Sequence, residues 1–233
     1  MLNINWKIIN KMNKKFDYTP LIRYTDYAEK KYIKPEKAGD LKEDMELFRE
    51  NGQEARKIFT QIAKSLEEKL DNFHVQKVSS WMNQAQIARP FLWVFFKRED
   101  ESVEEPEFAL RVFKNEKTKK VGISLEVGFI ERKIGKNTLE RQNKVLDLPI
   151  EPPLYYFVQY KNSKDDCKLQ RIEGNKTNRE ILLKDMKNGL IRKVLVKYDV
   201  EEISKFKTPE DLTQEFLKGF RLLMPFYLKT KEI

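Results

Sequence analysis

Between residues 52 and 72 apolar side chains return every three or four positions: Ala55, Ile58, Phe59, Ile62, Ala63, Leu66 and Leu70, with Phe73 just beyond. That period is the turn of an α-helix and lines one apolar stripe up against a core, so it predicts a helix over 52–72. Residues 90–97 are different. They carry bulky groups on both alternating sets, Phe91, Trp93 and Phe95 against Leu92, Val94 and Phe96, as expected of a strand buried on both faces. A short strand follows at 108–113. From 121 to 130 the alternation is clean: Val121, Ile123, Leu125, Val127 and Phe129 point one way, Gly122, Ser124, Glu126 and Gly128 the other. One face of that strand should therefore be covered and the other open or lightly covered. The charged stretch 114–120 suits a hairpin loop between the two strands.

Element ends carry their own chemistry. Pro149, Pro152 and Pro153 close a short helix expected over 136–146, and 154–160 is an aromatic strand. Thr177 with Glu180 three residues on spells a capping box, and Asn188-Gly189 a stop, which brackets a helix over 178–187. A strand at 193–198 precedes the last helix. Thr208 caps it, Pro209 opens its first turn, and Glu210 and Asp211 favour its positive end. Its stripe is Leu212, Phe216, Leu217, Phe220, Leu223, Met224 and Tyr227. Several strands run together without regular strand-helix alternation, so the expected fold class is α+β, a mixed or antiparallel central sheet flanked by helices. Residues 1–34 hold eight basic groups against three acidic ones, with Tyr18, Tyr24, Tyr27 and Tyr32 among them. Loop chemistry at Pro35 and 37–40 then divides the chain into a basic arm, 1–40, and a single α+β domain, 41–233.

Composition narrows the chemistry. The 233 residues include one Cys and one His, which excludes a disulfide framework, a cysteine-built zinc site and a histidine pair. The longest apolar run, 91–96, is far short of the roughly 18 residues of a spanning helix, so no integral membrane association is expected. The first residues lack the apolar core of a signal peptide, and the expected location is cytoplasmic.

Charge is the strongest functional signal. The chain carries +9 overall; residues 108–144 hold ten basic groups against four acidic, and residues 161–197 eleven against five. Such segments concentrate polyanions by releasing counterions, which makes nucleic acid, DNA or RNA, the expected partner and an acidic protein the alternative. Mixed-charge surfaces in a lysine-favouring proteome give the plain alternative. Within the basic segments, Lys117, Lys119 and Lys120 sit in the hairpin loop, with Arg111, Arg132 and Lys136 nearby. Trp81, among Ser79, Ser80, Asn83 and Gln84, reads as a solvent-facing aromatic available to a base. Trp93 and Phe95 read as core.

A rival reading is a metal-dependent nuclease. Glu107, Glu131 and Lys133 match a template in which two carboxylates hold Mg²⁺ and a lysine orients water, with Glu126 able to replace either acid. No cofactor is expected otherwise. Among 83 charged residues such a triplet also arises by chance, as a solvated ion pair at a strand end. His74 closes the first long helix in this reading and serves as a cap or packing group, and Cys167 lacks a histidine to activate it.

In its phrasing the chain resembles the YktB-like family of small bacterial proteins of unknown function. His74-Val75-Gln76-Lys77 leading to Trp93-Val94-Phe95 is similar to that family's basic-polar segment before a tryptophan strand. The run Phe220-Arg221-Leu222-Leu223-Met224-Pro225-Phe226-Tyr227 is similar to its closing helix. The likeness spans residues 52–228 and rests on packing motifs; Val78 and Ser79 stand where the family has paired basic residues. Pro90-Phe91-Leu92-Trp93 and the strands after it also resemble the DNA-reading N-terminal domains of McrB-type restriction proteins. Together with charge, this resemblance implies a non-enzymatic nucleic-acid-binding protein in a restriction or defence pathway.

Overall fold

The computed structural model describes residues 16–102, 104–129, 138–161 and 168–232. Their strands are β1 (Phe73–Val75), β2 (Trp93–Arg98), β3 (Glu107–Lys114), β4 (Val121–Gly128), β5 (Tyr155–Tyr160), β6 (Lys168–Glu173) and β7 (Ile191–Val200). The helices are α1 (Thr19–Tyr24), α2 (Lys42–Glu67), α3 (Thr138–Asn143), α4 (Lys176–Lys187) and α5 (Pro209–Lys231). The expected α+β class holds. All seven strands join one sheet in the order β1-β2-β3-β4-β7-β5-β6, antiparallel at every pairing.

One face of the sheet makes the core. Val94 and Phe96 of β2, Phe108, Leu110 and Val112 of β3, Ile123, Leu125 and Val127 of β4, and Val194 and Val196 of β7 are all essentially inaccessible. Helices α2 and α5 cover this face with the stripes that their periods announce. Phe108 stacks on Phe220 of α5 at 3.9 Å and on Tyr227 at 4.9 Å, with Phe73 edge-on to all three. Burying each such ring contributes about 2–3 kcal/mol. Close approach needs a missing side chain at Gly219, where a Cβ would lie 2.4 Å from the Tyr198 ring.

Several elements differ from the sequence-based expectation. Helix α2 begins ten residues earlier than 52, at Lys42, because 42–51 add Phe48 and Asn51 to its buried side. His74 does not end it. That residue lies in β1, exposed, with Nδ1 3.7 Å from Glu67 and Nε2 3.9 Å from Glu99. Strand β2 is not buried on both faces: Trp93 and Phe95 are only half-buried. The acidic stretch between β2 and β3 is tied into the fold at two points. Glu101 accepts a hydrogen bond from the Tyr227 hydroxyl and pairs with Lys231 at 2.5 Å, and Glu107 opens β3 at 2% exposure. Helix α4 is capped by Asn175, whose Oδ1 accepts from Asn178 N at 2.9 Å, rather than by Thr177. The α5 start is as expected, with Thr208 and Asp211 forming a reciprocal capping box.

The segment expected to form an arm also differs over the residues described. Tyr18, Leu21, Tyr24 and Tyr32 are core residues, and Phe16 N donates to Lys207 O at 2.7 Å. The Tyr24 hydroxyl reaches two buried carbonyls, Trp81 O at 2.5 Å and Arg89 O at 2.9 Å, so α1 locks the irregular 76–92 stretch in place. Tyrosines among lysines suggest a binding arm; here their rings supply apolar area instead. Residues 1–15 lie outside the described residues.

Candidate functional site

The other face of the sheet carries polar chemistry. Alternation in β3, β4 and β7 sends Ala109, Arg111, Gly122, Ser124, Glu126, Gly128, Leu195, Lys197 and Asp199 to this side, and the pairings bring them into rows. Glu126 stands opposite both Ala109 and Lys197, and Lys197 opposite Tyr155. Ser124 stands between Arg111 and Asp199. Strands and the β3–β4 loop form a cleft of about 1050 Å³ here, and no helical residue among those described lines it.

Ser124, Arg111, Glu126, Lys197 and Asp199 line its floor, and rings line its sides. Phe91 lines it from the β2 side, with Trp93, outside the lining, edge-to-face to it at 5.9 Å; Tyr155 and Phe157 line it from β5. Cations back these rings: Arg111 lies 4.7 Å from the Phe91 centroid, Arg89 4.8 Å from Trp93, Lys197 4.2 Å from Phe157 and Arg171 3.7 Å from Tyr155.

Two carboxylates anchor the cations. The Glu126 Oε1 accepts from Arg111 Nη2 at 2.9 Å and Nε at 3.2 Å, while Lys197 Nζ lies 2.6 Å from Oε2. Burial alone would raise the Glu126 carboxyl; the Lys197 and Arg111 charges and hydrogen bonds outweigh it and hold the group down at about 2. Asp199 accepts from the Tyr155 hydroxyl at 2.8 Å and from Arg171 Nη1 at 2.5 Å. Here burial prevails over both partners and raises the carboxyl. Burial and the Asp199 charge push the Tyr155 phenol far above its ordinary range. These groups hold one another in fixed positions, and such an arrangement binds and orients.

Helix α3 completes the scaffold where β4 and β7 part after the Val127–Val196 pair. Gln142 Nε2 donates to Val194 O at 3.0 Å and its Oε1 accepts from Phe129 N at 3.1 Å; Asn143 Oδ1 accepts from Val194 N at 2.9 Å. Two side chains thus stand in for the missing strand and satisfy backbone groups that would otherwise be orphaned.

Of the residues that the sequence singles out, Arg111 lies in the cleft wall and Lys117 on its rim. Lys119 and Lys120 are exposed in the same loop, with Lys120 held 2.6 Å from Glu202. Trp81 is a correction: at 7% exposure it packs between Tyr32 and Phe48 and against Gly52, where a Cβ would lie 2.6 Å from its ring. Its polar sequence neighbours mark an irregular segment, not a wet ring. Glu107 pairs with Lys97 at 3.3 Å. Glu131, Arg132, Lys133, Lys136 and Cys167 lie outside the described residues. No three acidic, His or Cys side chains come together as a metal site among those described. Sequence reasoning misses Tyr155, Phe157, Arg171, Lys197 and Asp199. Alternation across 193–200 is the available signal, since Lys193, Leu195, Lys197 and Asp199 interleave with Val194, Val196, Tyr198 and Val200. No helix among the described residues is long and apolar enough to cross a membrane. Comparison with protein-family models, with curated proteins and with solved structures finds no match to this chain.

Proposed function

We propose that this protein binds nucleic acid through the sheet face opposite α2 and α5 and performs no chemistry there. The observation that carries the reading is the cleft lining: seven basic residues, Arg111, Lys114, Lys117, Arg171, Arg192, Lys193 and Lys197, against Glu116, Glu126, Asp199 and Glu201. Both buried acids among these already hold cations, so they fix positive groups in place more than they repel an anion. A phosphate chain entering the cleft would meet oriented cations and release its counterions. A restriction or defence setting fits such a binder and rests on the McrB-type resemblance alone.

A salt series tests the reading. Affinity for labelled DNA and RNA should fall linearly in log-log form as salt rises, and heparin should compete less well than nucleic acid of equal charge. Absence of binding at low salt, or full displacement by equivalent heparin, would leave only a basic surface. Adding Mg²⁺ or Mn²⁺ should leave the nucleic acid at full length; cleavage would restore the nuclease reading that uses Glu107, Glu131 and Lys133.

A further inference from the structure

We infer that the occupant of the cleft is a single strand, held by bases stacked on Phe91 and Phe157; this rests on the nucleic-acid reading above and specifies it. Phe91 and Phe157 line the cleft half-buried, on the face that no helix among the described residues covers. On a sheet face without a ligand, two such rings leave apolar area in water, and each is steadied by a cation rather than packed into the core. A duplex hides the π faces of its bases within its own stack and offers these rings nothing. A single strand exposes them.

The placement of the rings agrees. The β2 wall and the β5 wall are separated by β3, β4 and β7, so four strand spacings of about 4.8 Å set them roughly 19 Å apart. Ser124 lines the floor between them. Bases can therefore stack at each wall while the intervening backbone crosses the floor, within reach of Arg111 and Lys197. Duplex reading by contrast requires an element that projects into a groove, usually a helix or a two-stranded ribbon. The cleft is concave and its lining, among the described residues, projects no helix.

The experiment compares one labelled sequence as single strand and as duplex, by fluorescence anisotropy with the full chain. Single-strand affinity should exceed duplex affinity by about tenfold or more, since each stacked base contributes roughly a tenfold factor. Phe91→Leu and Phe157→Leu should each weaken single-strand binding by about fivefold to a hundredfold and leave duplex binding unchanged. Ultraviolet cross-linking of the unaltered protein gives a second readout that needs no variant: the cross-linked peptides should contain Phe91 or Phe157. Equal or tighter duplex binding, or cross-links confined to other segments, would overturn the single-strand assignment while the nucleic-acid reading stands. Failure to bind either form would remove both.

Discussion

Glu126 supports two cations at once, and Lys197, at 6% side-chain exposure, keeps its ammonium against that carboxylate. Replacing Glu126 by Gln keeps the shape and removes the charge. The variant should lose about 3 kcal/mol of stability near neutral pH, the usual cost of leaving a buried partner uncompensated. The pH dependence has a definite sign. The folded carboxyl sits at about 2, below its ordinary 4.5, so its contribution is complete above 4.5 and is lost as pH falls through 2. Thermal melts of the natural chain and Glu126→Gln should differ most near neutrality and converge between pH 4.5 and 2; a constant gap down to pH 2 would contradict the ion-pair account. Asp199 runs the other way. Its carboxyl is raised, so its share of stability is present below 3.8 and lost as pH rises through the folded value. Of these two carboxylates the sequence shows only Glu126, as a polar residue in a clean alternation. The cations that set its state come from β3 and β7, and nothing local names them.

At the level of elements, period and end chemistry are readable wherever an element is long or capped by its own residues. Helices α2 and α5 follow their stripes, and β4 follows its alternation. Strands β1 and β6 are not readable: β1 has three residues, and β6 mixes Leu169 and Ile172 with charges because it is an edge, with Leu169 54% exposed. The capping of α4 goes to Asn175 because its extended backbone, φ −149°, ψ 168°, aims the side chain at Asn178 N; Thr177 already lies inside the helix. The same limit applies to the N-terminal segment, where charge density masks burial. Since α1 delivers Leu21 and Tyr24 at 0% exposure and ties the 76–92 stretch through the Tyr24 hydroxyl, which lies against the Trp81 and Arg89 carbonyls, deleting residues 1–34 should abolish cooperative unfolding. A truncated chain that still melts in one sharp transition, followed by circular dichroism, would show that α1 is dispensable to the core.

Across the whole molecule the sheet divides labour between its faces, the core with helices on one and fixed charges with rings on the other. The sequence states that division strand by strand. It does not state the order, because β7 enters between β4 and β5 only after the chain has passed through β5, β6 and α4. The cleft therefore joins residues that lie far apart along the chain, and only the pairings of β7 with β4 and β5 assemble it. The division also separates binding from stability. Lys117 and Lys119 have no ion pair among the described residues, whereas Lys120 is held by Glu202. Changing all three to Gln should therefore remove about two phosphate contacts rather than three, which flattens the slope of log affinity against log salt by about 1.4 for a single strand, at roughly 0.7 per contact. The loss should be the same for every sequence, because phosphate contacts carry no base information. Stability should barely move, because the exposed Lys120–Glu202 pair contributes little to folding. A slope unchanged within error, in a variant that melts like the natural chain, would place nucleic acid away from the β3–β4 loop and move the path of the strand toward the β5 and β6 side of the cleft.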